Sequence, residues 1–181
     1  MDATARIDRL ERQLARLQAE TAIRACVERY MALCDTLDAR TPLDELAGLF
    51  TADAVWEGVG ARYGSSFGGY RGRPAIAAML ARYMKEPAHF ALNVHFLCSE
   101  AIAVDEDASH AVARWVMLQT STFASGASHL NAARLVIDLA LEPDGAWRMS
   151  HFRTENLFSR PVDTWNDAAP LPLPSSSGAT A

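Results

Sequence analysis

The sequence predicts an α+β fold, with helices first and an antiparallel sheet after them. Three observations carry this. Apolar residues recur at helical spacing up to about Met84, and the period becomes strand-like after Pro87. The strand-like half is cut by short turns at Asp105-Glu106-Asp107, Ser125-Gly126 and Pro143-Asp144-Gly145. A chain of 181 residues, half of them apolar, forms one domain with a core of its own. Helices followed by a run of strands argue for a layered α+β arrangement.

The first element spans Ala5 to Leu37 without Gly or Pro, one long helix. Its early part carries Ile7, Leu10, Leu14, Leu17 and Thr21 at alternating steps of three and four, a narrow stripe suited to helix contact. Its later part carries Ile23, Val27, Tyr30, Met31 and Cys34, a broader face suited to the core. Thr41 as cap and Pro42 at the first position start a short helix whose buried face is Leu43, Leu46, Leu49 and Phe50. Ala54 to Glu57 reads as a short strand, and Gly58 to Gly72 as a hairpin with bulges. Pro74 to Met84 is a third helix. Strands follow at Asn93–Val104, Ala111–Phe123, His129–Leu141 and Trp147–Phe158. From Asp167 onward the chain is Ala, Pro, Ser and Gly, too poor in apolar surface to offset the entropy of ordering.

Composition narrows the function. The formal net charge of −5 disfavours nucleic acid, because phosphate binding needs a basic surface. No apolar run approaches the ~20 residues that cross a bilayer, and the first 24 residues lack the apolar core of a signal peptide, so no membrane partner is expected. Cys26, Cys34 and Cys98 form no CxxC pair and suit a reduced, cytoplasmic setting. HExxH, clustered His/Cys and EF-hand patterns are missing, as are GxSxG, P-loop and dinucleotide fingerprints; no metal and no cofactor is expected.

An ordered set of segments carries a family resemblance. These are Ile23-Arg24 with Glu28 to Asp35, Leu46 with Leu49 to Glu57, Phe67 to Ile76, His95 with Ile102 to Asp107, and Asp144 to Met149. In this order they resemble the SnoaL-like, nuclear-transport-factor-2-like superfamily, in particular its dehydratase, dehydrochlorinase and polyketide cyclase branch. The resemblance implies a cone: a curved antiparallel sheet, the cystatin-like α+β barrel, wrapped around the long helix with an apolar pocket inside. It divides the chain into a helical extension at 1–22, a SnoaL-like domain at 23–160 and a flexible tail at 161–181. It also implies a homo-oligomer, trimer or dimer, since the stripe and the outer sheet face both need cover.

Asp35 sits near the C-terminus of the first helix, where the helix dipole disfavours a carboxylate, among Leu33, Cys34 and Leu37. Desolvation there would suit acid–base work; a surface Asp opening a turn is the alternative. His95 lies on a strand, where the dehydratase-type relatives are implied to carry a catalytic His. An imidazole is a natural general base, and a carboxylate such as Asp35 would fix its tautomer. The plain alternative is a half-buried His bonded to backbone. Tyr30 stands about 140° round the helix from Asp35 and either serves a substrate oxygen or is a satisfied core Tyr. Arg153 and His151 share strand parity with Trp147 and Met149, so both face the pocket if no bulge intervenes; Arg153 would then hold a developing oxyanion, and otherwise it is a rim residue paired with Glu155 or Glu142. Trp56, Tyr63, Phe67 and Trp115 suit either an aromatic wall for a small hydrophobic molecule or core packing. Asn131 is placed to reach the pocket mouth, while His110 and His129 read as exposed and His89 as a loop residue.

The expected function is a cofactor-independent lyase of dehydratase type, with His95 oriented by Asp35. A ketosteroid-type isomerase or polyketide cyclase would use the same apparatus, and a non-catalytic carrier or assembly protein is the rival from another class. The pattern departs from the family at Ser99, where many relatives carry Asn, and in the Ala111–Phe123 strand, which has no acidic residue.

Overall fold

The computed structural model describes residues 2–163. The expected tail lies outside these residues from position 164 onward. Helix α1 runs from Ala3 to Asp35 with no break between its two sequence-defined parts. The first part is exposed, including Ile7, Leu10, Leu14 and Leu17, and burial begins at Ala19. Beyond that point Ile23, Val27, Tyr30 and Met31 pack inside the sheet.

Helix α2 (Leu43–Gly48) follows a tight loop. The helix starts one residue later than expected, and Thr41 is not its cap. The Thr41 hydroxyl instead accepts from the Asp38 backbone N–H and donates to the Thr36 carbonyl, tying the end of α1 to the loop. Leu46 and Phe50 are completely buried.

Strand β1 (Phe50–Val59) is longer than the sequence suggests. The expected bulged hairpin at 58–72 is instead helix α3 (Gly60–Phe67) followed by a short strand β2 (Gly69–Arg71). Gly60 and Gly68 bracket α3 with φ of 73° and 65°, a conformation open to glycine at little cost. Tyr63 and Phe67 then pack edge-on with each other, and Phe67 meets the Trp56 ring at 5.8 Å. This apolar contact outweighs the poor helix propensity of a segment with two glycines and two serines. Helix α4 (Arg73–Ala81) opens with Pro in its first turn and buries Ile76, Met79 and Leu80. The Arg73 side chain donates to the Phe50 carbonyl at 2.6 and 3.0 Å, fastening α4 to the start of β1.

Strands β3 (Phe90–Val104), β4 (His110–Phe123), β5 (Ser128–Leu141) and β6 (Trp147–Pro161) form an antiparallel meander. β1 joins β6 in parallel, giving the order β2-β1-β6-β5-β4-β3. The sheet is curved and does not close: β2 and β3 are its two edges. Register shifts mark bulges at Cys98/Ala101 on β3, where Ser99 has φ of 51°, and on β6 opposite Asp138/Leu139 and Ala132/Ala133. Such bulges bend strands and raise their twist. Leu135, Ile137, Leu139 and Met149 are shut from solvent on the inner face, each worth about 1.5–3 kcal/mol of transfer free energy.

Candidate active site

The inner face of the sheet and the second half of α1 leave between them a cavity of about 370 Å³. β4 supplies Met117, Gln119, Ser121 and Phe123 from one face at a two-residue period. β3 supplies Asn93 and His95, directly opposite Ser121 and Gln119. α1 contributes Tyr30, Met31 and Cys34, β1 Trp56, and α3 Tyr63 and Phe67. β5 adds His129, Asn131 and Leu135, and His89 and Phe90 stand where β3 begins.

His95 and Asp35 meet. Asp35 is the last residue of α1, and its Oδ1 accepts from the His95 ring at Nδ1 (2.6 Å) and from the His95 backbone N–H (3.0 Å). The His95 side chain is 10% exposed and borders the cavity, while Asp35 sits behind it at 25% and does not line the space. An ionised carboxylate only accepts, so Nδ1 carries a proton, and in the neutral ring that tautomer leaves the lone pair on Nε2.

Polar groups gather around this dyad. Asn93 is buried; its amide N–H donates to the Cys34 carbonyl at 3.1 Å, and its oxygen accepts from Gln119 (2.9 Å) and Ser121 (2.7 Å). The network joins the end of α1 to β3 and β4. Tyr30 is buried, and its oxygen accepts from the Trp56 indole N–H at 3.1 Å. Burial pushes the Tyr30 phenol well above its ordinary range and the Cys34 thiol up to about 12, so both stay protonated at neutral pH. Burial, then the nearby Lys85 charge, lowers the His89 pKa and favours its neutral ring.

Of the residues singled out in the sequence, Tyr30, Trp56, Tyr63, Phe67, His95 and Asn131 line the cavity. Arg153 and His151 do not. The register passes from Leu139↔Met149 to Asp138↔His151, which makes Ser150 an extra residue on β6. Parity inverts there, so Phe152 and Thr154 face inward beside Trp147 and Met149, and His151 and Arg153 face the other side. His151 Nε2 pairs with Glu57 at 2.7 Å, and Arg153 pairs with Asp138, not with Glu155 or Glu142. Trp115 is buried in the core outside the cavity, further along the inward row of β4.

His129, expected to be exposed, is half-buried and lines the cavity, as does the loop residue His89, and the Asn93–Gln119–Ser121 network was not foreseen from the sequence. Asn93 could have been found by its parity with His95. Counting back from the 105–107 turn places Gln119 and Ser121 opposite these two within one residue, the offset being the bulge at Ser99.

Among the described residues no group of three or more His, Cys, Asp or Glu side chains is placed to hold a metal, and no helix is long and apolar enough to cross a membrane.

Residues 15–153 match the profile of the SnoaL-like domain family. No curated protein matches the chain. Similar solved structures include hexachlorocyclohexane dehydrochlorinase LinA-type3 from Novosphingobium barchaimii, at TM-score 0.70 and 18% identity over 87% of this chain and 99% of that one. A scytalone-dehydratase-like protein from Novosphingobium aromaticivorans aligns at TM-score 0.67 and 18% identity over 84% and 93%. An NTF2-like protein with a cystatin-like fold from the same organism aligns at TM-score 0.59 and 26% identity over 86% and 90%. At 18% identity the first two likenesses concern the fold.

Proposed function

The chain belongs to the SnoaL-like domain family, and from that premise we propose that it is a cofactor-independent lyase of the dehydratase type. Its substrate is a small hydrophobic ring compound carrying a hydroxyl or other leaving group beside a carbonyl. The observation that supports this is the His95–Asp35 contact at the wall of a largely apolar cavity.

His95 Nε2 takes the proton from the carbon next to the carbonyl. The C–H electron pair becomes the new C=C bond as the C–O bond to the leaving hydroxyl breaks, and the imidazolium returns its proton to that oxygen, releasing water. Asp35 stabilises the transient imidazolium and holds the ring in its reactive tautomer. The Tyr30 hydroxyl accepts from the Trp56 indole and shares a hydrogen bond with the Cys34 thiol; exchanging the thiol for substrate lets its O–H donate to an enolate or leaving oxygen. Asn131 supplies a further polar contact for the carbonyl. Aromatic rings from Trp56, Tyr63 and Phe67 face the apolar part of the ligand. At about 370 Å³ the cavity lies at the small end of the range for ligand pockets, about 300–1,000 Å³, which suits one or two rings.

The experiment is turnover of a panel of cyclic β-hydroxy ketones, followed by absorbance of the conjugated product. His95→Gln is expected to lower kcat/KM by about 10²–10⁴ with an unchanged melting temperature. Undiminished turnover by His95→Gln would refute the proposal.

A further inference from the structure

Residues 3–18 of α1 are all exposed, and their apolar side chains are not scattered. Ile7, Leu10, Leu14 and Leu17 are 50–61% exposed and step by three, four and three. That is the a/d spacing of a coiled-coil seam, with Ile7 and Leu14 at a and Leu10 and Leu17 at d. The remaining positions follow the same frame. Asp8, Arg9, Arg12 and Arg16 fall at b, c and f, on the side away from the seam. Arg6 falls at g and Glu11 at e, five residues on.

We infer that the exposed first half of α1 pairs with the same segment of a second copy of this chain, as a parallel, in-register two-stranded coiled coil. Charge selects both partner and direction. In a parallel pair each g residue meets the e residue five positions later on the other helix, so Arg6 meets the partner's Glu11 twice over, and Gln13 meets Gln18. In an antiparallel pair Glu11 would face the second Glu11. The domain also leaves room for a second helix. It grips α1 through Ala19, Ile23 and Cys26, which fall at f, c and f of the same frame, on the side facing away from the seam, and through Val27 at g, which flanks it. Upstream, Arg16 donates to the Val104 carbonyl at 3.2 Å, and Arg9, Arg12 and Arg16 flank Glu106 on that reverse side. The seam therefore points away from the chain's own domain. This inference is independent of the proposed chemistry.

The test is disulfide trapping on the full chain at low micromolar concentration, in a Cys98→Ser background, since Cys98 is the exposed native thiol. Leu10→Cys places thiols across the seam, and Arg12→Cys places them outside it; neither removes a core contact. Leu10→Cys is expected to form a covalent dimer at least ~10-fold faster than Arg12→Cys, by the proximity of facing d positions. Adding Glu11→Arg should slow that trapping several-fold, and adding Arg6→Glu as well should restore it. Trapping of Leu10→Cys no faster than Arg12→Cys, or a rate indifferent to Glu11→Arg, would overturn the inference.

Discussion

Asp35 Oδ1 is shared between two donors of one residue, the ring Nδ1 and the backbone N–H of His95, at 2.6 and 3.0 Å. The pairing fixes both the position and the rotation of the imidazole. It also gives a carboxylate at an unfavourable helix C-terminus two compensating partners. A helix end and a strand 60 residues apart are thereby joined at the wall of the cavity.

Replacing Asp35 with Asn keeps the shape and removes the charge. The amide can present a donor to Nδ1, which favours the tautomer with its proton on Nε2 and blocks its use as a base. We expect kcat to fall by about 10²–10⁴ while KM changes little. Steady-state kinetics on a substrate from the ketone panel checks this; equal losses in binding and turnover would point to a collapsed site.

Asn93→Leu leaves the Cys34 carbonyl, Gln119 and Ser121 without their shared partner. An orphaned buried polar group costs about 1–3 kcal/mol, and a loss of that size is expected in urea unfolding. A neutral result would mean that water replaces the amide fully.

Gly58→Ala tests the packing of α3. A Cβ on Gly58 would stand 2.4 Å from the Tyr63 carbonyl oxygen and 3.1 Å from Phe67 Cβ. Both residues line the cavity, so α3 must move. The expected destabilisation is about 1–3 kcal/mol, with weaker binding of an apolar ligand read by tryptophan fluorescence.

Much of the architecture was legible in the sequence because apolar period is a local signal. It located α1, α4 and the four meander strands, whose interiors pack by that period. The α3 segment was not legible. Its glycines and serines read as turn, and the packing of Tyr63 and Phe67 beside Trp56 favours a helix there. Arg153 and His151 were misplaced for a similar reason: one extra residue at Ser150 inverts a face, and no local residue type announces it. The polar network around Asn93 depends on cross-strand register, which is a property of two strands together.

Alkaline pH offers a test of burial. Burial raises Cys26 to about 11 and Cys34 to about 12 in the folded chain, against about 8.5 for an unfolded thiol. Folded values above unfolded ones give stability that is whole below about pH 8.5 and lost as pH rises toward the folded values. The urea midpoint should therefore decline from pH 8 to 10.5, and less steeply in Cys26→Ala/Cys34→Ala. Identical slopes would contradict the burial of both thiols.

The role of His95 as a base oriented by Asp35 can be tested without substrate, through the ¹⁵N shifts and couplings of its ring at a pH where the imidazole is neutral. The expected result is a proton on Nδ1, hydrogen-bonded to Asp35, and an unprotonated Nε2 facing the cavity. A proton found on Nε2, with Nδ1 bare, would contradict the assignment of His95 as the base.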